Sequence, residues 1–215
     1  MKSLPTSAAR RVAITLVAGL ALAACGDDAN SSTDSTAPAA VLSGYEVDPP
    51  LVVAGVSLPE ASADGAEFEF VAEQGHLLIA YFGYTSCPDV CPTTLYEVKK
   101  ALAQLGDDAS NVDLAMATVD PDHDTAEVIT GYVQSFVPTA HALRSEDIPV
   151  LEEAAAAFGA SFSVVTNAEG EVDVSHSPNL YLVDDTGTVV LTWLFGVPAD
   201  AMATDLAIML DRIYS

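Results

Sequence analysis

Positive charge is scarce in this chain: seven Lys and Arg stand against 31 Asp and Glu, for a formal net charge of -24. Three of those seven, Lys2, Arg10 and Arg11, lie at the extreme N-terminus, so the remainder is more acidic still. A phosphate backbone needs Lys- and Arg-bearing surfaces, so this balance argues against nucleic-acid binding. The acidic excess reads as a solvated surface, and any partner docking by charge would be basic. Cysteine is nearly as rare, at three residues. One close pair and one distant thiol cannot staple a disulfide scaffold. The single tryptophan, Trp193, falls in the last strand pattern and is expected in the core. No internal repeat is visible.

What the N-terminus does contain is a basic start, then an uncharged apolar stretch over residues 12–24, then Leu22-Ala23-Ala24-Cys25. The stretch is too short to cross a bilayer comfortably, so residues 1–24 read as a cleaved export signal. Leu-Ala-Ala-Cys resembles a bacterial lipobox, which makes Cys25 the expected lipidation site; an ordinary signal cut near Ala24 is the alternative. Residues 25–44 are rich in Ser, Thr, Asp, Ala and Pro and read as a flexible tether. The expected place of the protein is therefore outside the cytoplasm, at the outer face of the cell membrane held by a lipid anchor or on the periplasmic side. Apolar content rises at Tyr45, and residues 45–215 are expected to form one domain.

Within that domain, strand and helix patterns alternate. Residues 67–71 alternate polar and apolar, as an edge strand does, while residues 77–82 are continuously apolar, as a strand buried on both faces is. Leu95, Val98, Leu102 and Leu105 recur at helical spacing and stop at Gly106. A strand follows over 112–119. Asp124-Thr125-Ala126-Glu127 reads as an N-cap and capping box opening a helix to Phe136, with another helix over 151–158. Strands are expected at 161–165, 172–174, 179–183 and 189–194, the last two flanking an Asp185-Thr186-Gly187 turn. A closing helix begins near Pro198 and presents Met202, Leu206, Met209, Leu210 and Ile213 on one face. This order fits an α/β domain with a thioredoxin-like fold, carrying a helical insertion between Val119 and Gly159 and ending in a β-hairpin plus helix.

The chemistry centres on Cys87-Pro88-Asp89-Val90-Cys91-Pro92, at the junction of the central strand with the first helix. Backbone N–H groups and the helix dipole there favour anions and raise the thiolate fraction. Thiolates attack disulfides and bind soft metals, and both chemistries stay open on the spacing alone. A local bridge without further function is the bland reading, though so short a loop adds little stability through chain entropy. Among the histidines, His76, His123 and His141 read as incidental surface residues. Asp120 and Asp124 read as turn and cap residues, and Asp89 as a charge at a helix start.

Residues 81–92, Tyr-Phe-Gly-Tyr-Thr-Ser-Cys-Pro-Asp-Val-Cys-Pro, closely resemble the signature of the Sco/SenC family, thioredoxin-like copper proteins of cytochrome c oxidase assembly. Val119-Asp120-Pro121-Asp122-His123-Asp124-Thr125 resembles its Asp-Pro strand end, and Ser175-His176-Ser177-Pro178 its single histidine segment. The resemblance runs from about Ala54 to the C-terminus. It implies copper, Cu(I) or Cu(II), as the bound ion, with Cys87, Cys91 and His176 as metal ligands. Soft thiolates suit Cu(I) and imidazole suits both copper states, whereas structural zinc asks for a fourth ligand. The implied function is a metallochaperone whose partner is the copper-binding subunit of cytochrome c oxidase, with other copper carriers as further partners. The alternative is a thiol–disulfide oxidoreductase with Cys87 attacking and Cys91 resolving, keeping that subunit's cysteines reduced. Its usual spacing has two intervening residues rather than three, and it would have no need of His176. A thioredoxin-like peroxidase would need an activating basic residue that the motif lacks.

Overall fold

The uninterrupted apolar run after His76 becomes the centre of an eight-stranded sheet. The computed structural model describes residues 41–170 and 172–214, so Cys25, the expected signal and most of the expected tether lie outside the described residues. The strands are β1 (Leu51–Val52), β2 (Ser57–Glu60), β3 (Ala66–Glu69), β4 (Leu77–Gly83), β5 (Val112–Thr118), β6 (His141–Leu143), β7 (Phe162–Thr166), β8 (Val172–His176), β9 (Leu180–Val183) and β10 (Thr188–Trp193). The helices are α1 (Val90–Leu105), α2 (Ala126–Phe136), α3 (Ile148–Ala157) and α4 (Ala199–Tyr214). The main sheet runs β1-β10-β9-β4-β5-β6-β2-β3, and β7 pairs with β8 in a separate two-stranded sheet.

Every residue of β4 is buried, and its alternation divides the core in two. Leu77, Ile79 and Tyr81 face α1, α2 and α4, where Leu95, Val98, Ile129, Leu206 and Met209 pack. Leu78, Ala80 and Phe82 face the other side, against Leu151 and Ala155 of α3 and Phe158 just past its end. The two faces explain why this strand lacks the polar alternation of a half-exposed one. β4 and β5 run parallel through the α1 crossover, while β9 returns antiparallel to β4.

Three expectations need correction. The segment between Val119 and Gly159 is not purely helical: β6 adds a short third parallel strand beside β5. Three residues carry too little periodicity to announce a strand. Asp124 does not cap α2. Thr125 does, its hydroxyl accepting from the Val128 N–H at 3.3 Å, and it in turn donates to Glu127. The strand expected at 172–174 continues to His176, with His176 opposite Phe162.

The N-terminal side of the domain is already docked before residue 45. The Ser43 and Gly44 N–H groups both donate to the buried carboxylate of Asp205 on α4, each at 2.9 Å at the closest. Trp193 Nε1 donates to the same carboxylate at 2.8 Å. Gly44 is required there, since a Cβ would lie 2.7 Å from the Leu191 side chain.

Candidate metal centre

β4 ends at Gly83, and the chain turns through Tyr84, Thr85 and Ser86 into Cys87 before α1 begins at Val90. Cys91 therefore sits in the first turn of the helix, four residues on and on the same side as Cys87. The two thiols are not joined. The Cys91 N–H points at Cys87 Sγ, 3.3 Å away. His176 arrives from the end of β8, and its Nε2 lies 3.4 Å from Cys91 Sγ. The ligand atoms of Cys87, Cys91 and His176 all fall within 4.8 Å of one another. Residues 85 positions apart thus meet at the mouth of a helix.

Burial and charge divide the roles of the two thiols. Burial opposes ionisation of Cys87, but the N–H and thiol of Cys91 and the N–H groups of Asp89 and Val90 outweigh it, so its pKa falls below the ordinary thiol value. Cys91 is fully buried, and that burial pushes its thiol up to about 12. His176 is held below the ordinary imidazole range by burial, which keeps the ring neutral. Its Nδ1 faces the Ser177 carbonyl at 3.1 Å. Donation there would fix the tautomer and leave the Nε2 lone pair turned toward the sulfurs. Tyr81 and Tyr84 stand edge-on to the imidazole, with ring centroids 6.0 and 5.7 Å away.

A second layer fixes the loop. Asp124 is completely buried and accepts from the Thr85 N–H and from the hydroxyls of Thr85 and Thr118. Arg144 holds the same turn from behind, donating to the carbonyls of Asp124 at 2.8 Å and Pro121 at 2.9 Å. Gly83 closes the approach, because a Cβ there would lie 3.0 Å from Cys91 Sγ and 2.8 Å from the Tyr81 ring. Asp124 is the residue that sequence reasoning undervalued; the signal was its place in the Asp-Pro segment, which reads equally well as a turn. Asp120 is buried too, and its carboxylate meets His123 Nδ1 at 2.8 Å. His76 and His141 are half-buried rather than incidental: they pair with Asp113 at 3.1 Å and Glu60 at 2.8 Å, away from the thiols. Asp89 precedes α1 without a side-chain cap, as a helix-start charge would.

Two thiols and a neutral imidazole, preorganised at a helix start, are a soft-metal donor set. The sequence model of SCO1/SenC matches residues 61–211. The chain belongs to the SCO1/SenC family. The SCO2-like protein of Rickettsia prowazekii (strain Madrid E) is 32% identical over 116 residues, covering 53% of this chain and 56% of that protein. The chain spans little more than half the length of the first curated relatives it matches. Among solved structures, ScoI of Bradyrhizobium japonicum with copper bound is 28% identical at a TM-score of 0.61, covering 74% of this chain and 96% of that one. The apo Sco1 protein of Thermus thermophilus is also 28% identical, at a TM-score of 0.65, covering 80% of this chain and 97% of that one. The thioredoxin-like fold expected from the element order is the fold of these Sco structures.

Proposed function

We propose that this protein binds copper through Cys87, Cys91 and His176 and delivers it to the copper-binding subunit of cytochrome c oxidase. The observation that carries the reading is the convergence of two thiols and one neutral imidazole, all within 4.8 Å. Thiolates favour Cu(I), and the imidazole keeps the set compatible with Cu(II). Membership of the SCO1/SenC family supports it, as does the Bradyrhizobium relative with copper bound. Lipidation of Cys25 would hold the domain at the outer face of the cell membrane, where a membrane-embedded oxidase presents its copper subunit. Transfer would proceed as partner ligands displace the three groups in turn, beginning at Cys87, the thiol with some exposure at 8%.

A second reading, thiol–disulfide exchange with the same subunit, draws on one specific observation. The thiol pair is asymmetric, Cys87 depressed and Cys91 raised, as an attacking and a resolving thiol would be. His176 separates the two. Cells carrying His176→Ala lose assembled oxidase and recover it with added copper if the protein is a carrier. Normal oxidase levels in that strain would overturn copper delivery and favour exchange.

A further inference from the structure

Two hydroxyls near Cys91 are buried without a hydrogen bond of ordinary geometry. Tyr81 is fully buried on β4, and its hydroxyl lies beside both the Cys91 sulfur and Thr94, without a well-aligned hydrogen bond to either. Thr94 is 5% exposed, three residues after Cys91 on the buried face of α1, and its hydroxyl also has no partner. A helical Thr ordinarily settles its hydroxyl on a carbonyl one turn back. Leaving such a group unsatisfied costs stability, and Phe and Val would fill the same space without that cost. Buried hydroxyls that forgo partners call for a role.

The two sulfurs differ in what surrounds them. Cys87 has several N–H donors from the turn into α1, whereas among backbone groups Cys91 is helped toward ionisation by Tyr84. A protonated thiol is a poor acceptor, but a thiolate bound to metal is a strong one. We infer that Tyr81 and Thr94 are positioning residues for the Cys91 sulfur, forming a relay in which Thr94 donates to the Tyr81 oxygen and Tyr81 donates to Sγ when metal displaces the thiol proton. The inference rests on the soft-metal reading of the site. Within the relay each donor polarises the next, which strengthens the terminal bond to sulfur. A metal-bound thiolate would give the Tyr81 hydroxyl a strong acceptor at the end of this relay, so the relay favours the loaded site.

The test uses the purified full chain in detergent, with Tyr81→Phe, Thr94→Val and Thr94→Ser. Cu(I) affinity is measured by anaerobic competition with a chelator, and Co(II) is titrated in parallel to record the thiolate charge-transfer band. Tyr81→Phe is expected to weaken Cu(I) on the order of tenfold, the lower range for loss of a partner to a metal ligand. The band should move to lower energy, because a sulfur without its donor releases charge more readily. Thr94→Val should move both readouts the same way by less, and Thr94→Ser should restore them. Unchanged affinity and band energy in Tyr81→Phe, with only thermal stability altered, would overturn the relay. Cobalt bands without copper uptake in the wild type would overturn copper binding alone, and the cobalt shifts of the variants would still decide the relay.

Discussion

Asp124→Ala should damage both the fold and the metal centre, by an amount that its hydrogen bonds allow to be worked out. The carboxylate accepts from the Thr85 N–H at 3.0 Å and from the hydroxyls of Thr85 and Thr118. A buried hydrogen bond to a charged acceptor contributes about 1.5–3 kcal/mol. The two hydroxyls can rotate toward other acceptors, but the Thr85 N–H cannot, so the loss falls short of the sum. We expect about 3–5 kcal/mol for Ala, from that N–H left bare, two weakened hydroxyls and a cavity. Asp124→Asn keeps one oxygen for the Thr85 N–H and offers an amide that the Thr85 hydroxyl can accept from, which limits the loss to about 1 kcal/mol. Urea unfolding of the reduced protein should order the midpoints wild type, Asn, Ala at constant slope. Thr85 lies two residues before Cys87, so Cu(I) affinity should fall in Ala and hold in Asn. Equal damage from Asn and Ala would show that charge, not acceptor geometry, is what matters. A loss below about 0.5 kcal/mol for Ala would refute the network as the support of the loop.

Other perturbations separate the remaining parts of the account. Alkylation of the reduced, metal-free protein should modify Cys87 first, with a midpoint below the ordinary thiol pKa, while Cys91 stays unreactive at neutral pH; mapping by mass spectrometry checks the order. Because Cys91 keeps its proton in the fold up to about 12, the unfolded chain ionises it first as pH rises from the ordinary value of 9.0. Stability should therefore decline through that alkaline window, and unfolding of Cys91→Ala should lose this component of the decline. Gly83→Ala would force a methyl against Cys91 Sγ and the Tyr81 ring, and should cost about 1–3 kcal/mol in thermal unfolding together with part of the Cu(I) affinity. Asp205→Ala should strip the acceptor from Ser43, Gly44 and Trp193, raising amide exchange at residues 43–45 and shifting Trp193 fluorescence.

The legible parts of the fold were those in which periodicity is dense. Residues 77–82 read as a doubly buried strand because both faces of β4 are covered, and Leu95, Val98 and Leu102 announced α1 because that helix buries one stripe. β1, β2 and β6 escaped notice: the first and last are two and three residues long, and β2 contains Pro59. Such strands are defined by partners across the sheet rather than by their own sequence. The cysteine pair declared itself through local spacing. His176 did not; its position on a strand opposite Phe162 and against the thiols is a tertiary fact, available in advance only through resemblance. The buried Asp124 and the unpartnered Tyr81 and Thr94 hydroxyls were illegible for the same reason, since burial is set by elements far along the chain.

The most direct test is X-ray absorption of the Cu(I)-loaded protein beside His176→Ala. The account predicts one copper per chain with two sulfur neighbours and one nitrogen neighbour, the nitrogen lost in the variant. A wild-type spectrum with sulfur neighbours alone, unchanged by His176→Ala, would contradict a three-ligand copper centre.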